Sequence, residues 1–107
     1  LEHRMADASA NPYTAVAAVL HAARLGVEQD YDLPPMETGD GFEKTDAKQG
    51  VAVDLRHAMD DLEADSALTG AVGQMLVDNH IFMKRKEVRK TRDLEGDALR
   101  DFYVYYL

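Results

Sequence analysis

The sequence predicts a mainly α-helical fold of four to five helices, and three stretches of it carry that prediction. An Asn-Pro pair opens a long alanine-rich run that meets no Gly or Pro until Gly26. After Asp54, apolar residues recur at the spacing of one helix face. From Gln74 a third run continues for about twenty residues with Val77, Ile81, Lys84 and Val88 on one stripe.

The elements follow in order. Asn11 supplies an N-cap side chain, and Pro12 has the fixed φ and missing N–H that suit the first helical position. The helix is expected over Tyr13–Leu25, with Gly26 as a left-handed C-terminal cap. Its apolar residues go nearly all the way round, and a helix of that kind calls for burial on every side. A chain of 107 residues with few other apolar stretches has little to bury it against. Residues 28–50 read as a connection: Pro34-Pro35 stiffens its start, and Gly39, Gly41 and Gly50 interrupt its charged remainder. Helical structure is expected again over 54–107. Asp54 caps Leu55–Ala64, where Leu55, Ala58, Met59 and Leu62 share a face. Asp65 or Ser66 caps a short helix to Val72, weakened by Gly70 and Gly73. A long helix follows from Gln74 to about Asp93, then a break at Gly96 and a last helix from Asp97 to about Tyr105. The closing Phe102-Tyr103-Val104-Tyr105-Tyr106-Leu107 suits either the core of that helix or a tail docked on another subunit.

Composition narrows the function classes. An apolar content of 46% provides a core and excludes a disordered chain. With no cysteine there is no disulfide framework and no thiolate metal site, which makes a cytoplasmic setting the default. No run approaches the roughly 20 apolar residues that span a bilayer, so no membrane partner is expected. The net charge of −8 argues against nucleic acid. Residues 84–92 depart from it with a local +5, against −13 for the rest, a solvated helix face or one half of a subunit contact. His3, His21, His57 and His80 lack metal-ligand spacing, and Gly39-x-Gly41 lacks the third glycine of a phosphate loop.

Three motifs carry a family resemblance. The opening Glu2-His3-Arg4, continuing through Asp7 to Asn11-Pro12-Tyr13 and the alanine-rich helix, resembles the segment of glutamine synthetases in which a Glu-x-Arg strand leads through Asp-x-x-x-Asn-Pro-Tyr into a helix. Tyr31-Asp32-Leu33-Pro34-Pro35 is similar to that family's Leu-Tyr-Asp-Leu-Pro-Pro loop, and Met83-Lys84-Arg85-Lys86-Glu87 with the closing tyrosines to its late helix. The matches keep order and spacing along the whole chain.

The resemblance implies the C-terminal helical part of a catalytic domain, with residues 1–10 a strand and loop remnant. It implies an oligomeric parent that joins glutamate to ammonia, or to another small amine, using ATP and Mg²⁺ or Mn²⁺. Glu2 would be a metal ligand and Arg4 a contact to substrate carboxylate or transferring phosphate. On a strand, residues i and i+2 do share a face, and hard cations take carboxylate oxygens. Taken alone, Glu2 and Arg4 would read as a surface Glu and Arg on a terminal strand or a frayed end. Tyr31 falls where some bacterial members carry an adenylylation target, although Gln29-Asp30 replaces the usual Asn-Leu before it; a loop anchor is the other reading. The family's remaining metal carboxylates and most nucleotide contacts lie upstream, so the chain alone is expected to be inactive and to self-associate. A rival reading is an independent acidic helical adaptor that binds a protein through residues 84–92 or the aromatic end.

Overall fold

The computed structural model describes residues 3, 6–7, 9–36, 38–40 and 50–106. Glu2 and Arg4, the strand expected around them and residues 41–49 of the connection expected over 28–50 lie outside the described residues. Five helices follow in order: α1 (Pro12–Glu28), α2 (Leu55–Ala64), α3 (Ser66–Val72), α4 (Gln74–Thr91) and α5 (Gly96–Tyr106). Among the described residues there is no strand.

The starts of the helices follow local chemistry. The Asn11 side chain accepts from the Tyr13 and Thr14 amides, at 3.0 and 3.4 Å, with Pro12 directly behind it. Asp54 caps α2 by accepting from the His57 amide at 2.9 Å, and Asp65 caps α3 through the Leu68 amide at 2.9 Å. Gly73 ends α3 and begins α4 with φ 111°, a value that disfavours any residue with a Cβ.

The end of α1 corrects the expectation at Gly26. The helix continues to Glu28 with Gln29 as its C-cap, and Asp30 takes the left-handed position at φ 51°. The Tyr31 amide then reaches back to the Gly26 carbonyl at 3.1 Å, the six-to-one bond of a Schellman ending. Aspartate tolerates that backbone better than most residues, and so the left-handed residue lies four positions beyond the glycine. The other ends shift less. Helix α4 stops at Thr91, short of Asp93, and α5 starts on Gly96 itself, at φ 51°.

Packing centres on α4. Val77 and Ile81 are buried against Met59 of α2, with Leu55, Leu62, Val72 and Val88 partly buried around them. Thr69, also buried, donates from Oγ1 to the Leu62 carbonyl at 3.0 Å and ties α3 to the end of α2. Helix α1 packs on α3, α2 on α3 and α4, and α3 on α4. Two face assignments change. Ala58, expected inside, is exposed, and Glu87, just off the predicted stripe, is buried. No residue of α1 is buried: Tyr13 is 85% exposed, Val27 84% and Leu20 62%.

The core is therefore small for the chain. A folded monomer of 11.9 kDa presents about 6,000 Å² to solvent, whereas this chain presents 9245 Å². Its radius of gyration is 16.5 Å, against about 13 Å for a compact domain of this length.

With so few buried residues, Ile81→Ala should cost about 2–5 kcal/mol, a large part of the stability of a domain this size. Urea unfolding followed by circular dichroism is expected to lose its cooperative transition in that variant. Met75→Ala, on the same helix at 79% exposure, should stay within about 0.5 kcal/mol of the parent chain.

Candidate functional site

The segment leading into α1 is organised by its own hydrogen bonds. The Asp7 carboxylate accepts from the Ser9 amide at 2.7 Å and from the Ser9 hydroxyl, and the Ala10 amide reaches the Asp7 carbonyl at 3.0 Å. The Ser9 hydroxyl, followed by its amide, holds the Asp7 carboxyl below the ordinary 3.8. This turn delivers the chain to Asn11 and so to α1.

It also lines a groove of about 540 Å³. Ala15 and Ala18 of α1, Leu68 and Val72 of α3 and Val77 of α4 give it an apolar lining, to which His80 and Lys84 of α4 add polar groups. The size and the apolar lining with few polar groups match a small-molecule cleft. Two of the three sequence motifs meet here: Asp7 and Asn11 of the first line the groove together with Lys84 of the third. Tyr31 of the second is not among the lining residues.

Glu87, which the sequence reading passed over, pairs with Lys84 of this lining. Its side chain is only 6% exposed and accepts from Lys84 Nζ at 2.7 Å and from the Tyr103 hydroxyl at 2.9 Å. An unpaired buried carboxylate is costly, so the lysine and the tyrosine are what permit it. The signal was present as Lys-x-x-Glu at i, i+3 on a helix, but that pair is ordinarily a surface pair. The contact from Tyr103 of α5, 16 residues further on, is not given by helix spacing.

His80 sits beside this pair. Burial, and then the positive charge of Lys84, keep its imidazole below the ordinary 6.5, with Glu87 opposing the shift. At neutral pH the groove thus holds a neutral imidazole and a lysine whose charge is already matched. The Asp7 carboxylate, also in the lining, is then the one side-chain charge of the groove without an opposite charge described beside it.

The remaining predicted features are accounted for locally. Tyr31 is half-exposed, its hydroxyl donating to Gln29 Oε1 at 2.7 Å and its amide bonded to Gly26, so it anchors the start of the loop. Within the basic run, Arg85 pairs with Glu63 of α2 at 2.6 Å, Lys86 lies 4.4 Å above the Phe82 ring, and Arg92 pairs with Asp93 at 3.2 Å. Much of the run's charge is thereby met within the chain. Phe102 and Tyr103 pack edge to face with centroids 5.2 Å apart, whereas Val104 and Tyr105 are exposed. Among the described residues no three His, Cys, Asp or Glu side chains converge as a metal site would require. No helix among them is long and apolar enough to cross a membrane.

Two measurements test this arrangement. Tyr103→Phe should cost about 1.5 kcal/mol, the value of a hydrogen bond to a charged acceptor, and most of that cost should vanish in the background of Glu87→Gln. The second is stability against pH. Because folding depresses the His80 pKa, its contribution is complete above 6.5 and is lost as pH falls through the window below that value. The denaturation midpoint should therefore decline on acidification below 6.5, and His80→Gln should flatten that segment. The loss below 3.8 should remain, because Asp54 is held below its ordinary value chiefly by the His57 amide and then by the His57 ring.

Comparison with known proteins accords with this arrangement of motifs. The family described as glutamine synthetase, catalytic domain, matches residues 1–103. A glutamine synthetase of Methanocaldococcus jannaschii is 29% identical over 99% of this chain and 25% of its own length. One from Methanococcus maripaludis is 30% identical over 81% of the chain and 21% of its own length. Protein fluG of Emericella nidulans is 30% identical over 96% of the chain and 13% of its own length. The chain thus spans a quarter or less of the curated relatives it matches. No solved structure matches it. With a match from residue 1 to residue 103, the chain belongs to the glutamine synthetase catalytic-domain family.

Proposed function

We propose that this chain is the C-terminal helical part of an ATP-dependent ligase that joins glutamate to ammonia or to a small amine. The observation that carries the reading is the family match over residues 1–103, nearly the full chain. The groove supports it, because Asp7 and Asn11, just after Glu2 and Arg4, share its lining with Lys84.

In this reading Glu2 is a ligand to Mg²⁺ or Mn²⁺, and Arg4 contacts the substrate carboxylate or the transferring phosphoryl group. A divalent cation supplies charge stabilisation to phosphoryl transfer. The described residues do not fit a complete cation site: no cluster of three ligating side chains is among them. Glu2 adds one carboxylate, short of the roughly six oxygens such a cation takes. The remaining ligands, the nucleotide contacts and the amine site would come from sequence beyond this chain. The chain by itself is accordingly inactive, and the working enzyme is a cytoplasmic homo-oligomer. Tyr31, half-exposed at the start of its loop, is open to modification in the same reading.

The adaptor reading is weaker on physical grounds. It requires a self-sufficient module, and the small core and large exposed area speak against one. It also requires an available basic stripe, and Arg85, Lys86 and Arg92 already have partners.

The test uses the full-length protein with ATP, glutamate and Mg²⁺, following phosphate release with ammonium, methylamine or a diamine. Ammonium-dependent release is expected, with the 107-residue chain silent as control. Glu2→Gln should lower the rate by on the order of 10²–10³ and raise the Mg²⁺ requirement. Preference for an alkylamine would redefine the acceptor. Absence of release with every amine would overturn the ligase reading.

A further inference from the structure

Helix α1 is short of charge and short of cover. Its 17 residues include one Arg, one Glu and no Lys or Asp, and Arg24 and Glu28 pair with each other at 3.4 Å. No residue of the helix is buried. At 3.6 residues per turn, Tyr13, Val16, Leu20 and Val27 fall within an arc of about 60°. They are 85%, 57%, 62% and 84% exposed. Ala15 and Ala18, which share the groove lining with Leu68 and Val72 of α3, project from roughly the opposite side of the helix. The side of α1 away from the groove is therefore both apolar and exposed.

Three observations decide what covers it. The first is composition. A helix apolar on both sides is a core helix, whereas a surface that parts from its partner in solution is about as polar as the rest of a protein. The second is area. The chain presents about 3,000 Å² more than a compact monomer of its mass, and a standard contact between subunits covers about 800 Å² per partner. A surplus of several such contacts belongs to a domain that lacks part of its own core. The third is the length of chain outside the structure. The segment spans 25% and 21% of the two glutamine synthetases it matches, which leaves three quarters or more of their length beyond it. As the C-terminal segment, the chain joins that remainder through residues 1–10, directly ahead of Asn11 and α1. A tether that short holds the remainder at a high effective concentration beside the helix.

We infer that the face of α1 formed by Tyr13, Val16, Leu20 and Val27 is an internal layer of the catalytic domain. It is covered within the same polypeptide, by the part ahead of residue 1, and not by a second subunit. In that packing α1 is a middle layer, with α3 on one side and the upstream part on the other. The covering surface has to be apolar along the arc, because a polar group set there would lose its water without gaining a partner. It needs no acidic group for Arg24 at the edge of the arc, since Glu28 already meets that charge.

The inference rests on the chain being the C-terminal segment of its family, and not on the reaction. The test uses the full-length protein produced with photo-leucine, an analogue of nearly leucine size, so that no substitution threatens the fold. After irradiation, single-chain and double-chain bands are separated on a denaturing gel, and the links formed by residue 20 are mapped by mass spectrometry. Leu62, packed against the Met59 core, is the internal control for a covered leucine. Residue 20 should link to residues ahead of residue 1, in the band of single-chain mass. Links from residue 20 in the double-chain band overturn the inference and give the face to a neighbouring subunit. Links confined to residues 1–107 overturn it in favour of a local contact. Absence of any link from residue 20, while Leu62 forms its own, overturns it too, because water then quenches the analogue on an open face. Phosphate release by the same protein reports the ligase reading, so the contact and the reaction can each fail without the other.

Discussion

Everything else in this fold leans on the contact of Val77 and Ile81 with Met59. These are the buried apolar residues among those described, and they lie where α4 crosses α2. Because they sit one turn apart on α4, they fix the rotation of that helix about its axis. The rotation in turn decides which α4 side chains go inward. It sends Glu87 inward, where Lys84 and Tyr103 meet it, and it leaves Met75, Phe82 and Met83 outside. It also sets His80 and Lys84 in the lining of the groove that α1 and α3 complete. A handful of apolar contacts thus orients both the polar centre and the cleft.

Much of this was readable in the sequence because the signals are local. Asn11-Pro12, Asp54 and Asp65 cap helices through bonds to amides two or three residues away, and such bonds need no tertiary context. The stripe through Val77 and Ile81 followed from spacing alone. What was missed depends on distant parts of the chain. Ala58 has the right spacing for the core but faces out, because α4 covers only the Leu55–Met59–Leu62 side of α2. Glu87 reads as a surface residue by spacing, yet it is buried and meets the Tyr103 hydroxyl of α5. Gly26 is the obvious cap for α1, yet the helix outruns it, since an aspartate can also take the left-handed turn and the Tyr31 amide then satisfies the Gly26 carbonyl. The site residues Glu2 and Arg4 rested on resemblance alone, for no local rule gives a single carboxylate and a guanidinium a role.

The groove and the two-sided α1 express one shortage. The chain has more apolar helix surface than it has partners to cover it, and the surplus is arranged rather than scattered. Part of it lines a cleft together with the Asp7–Ser9–Asn11 turn. Another part, Tyr13, Val16, Leu20 and Val27, stays exposed on the same helix. For a segment matching a quarter or less of its relatives, such ordered exposure indicates surfaces shaped by contacts beyond its own core.

Gly73 gives this architecture a geometric property. It is the single residue shared by the end of α3 and the start of α4, and its backbone, at φ 111° and ψ 119°, lies where side chains are strained. Since α3 and α4 both line the groove and meet at this one joint, the backbone angles of Gly73 set the direction in which α4 leaves α3. A Cβ built there would meet no atom within 4 Å, so what keeps a side chain out of this joint is the backbone conformation and not want of space.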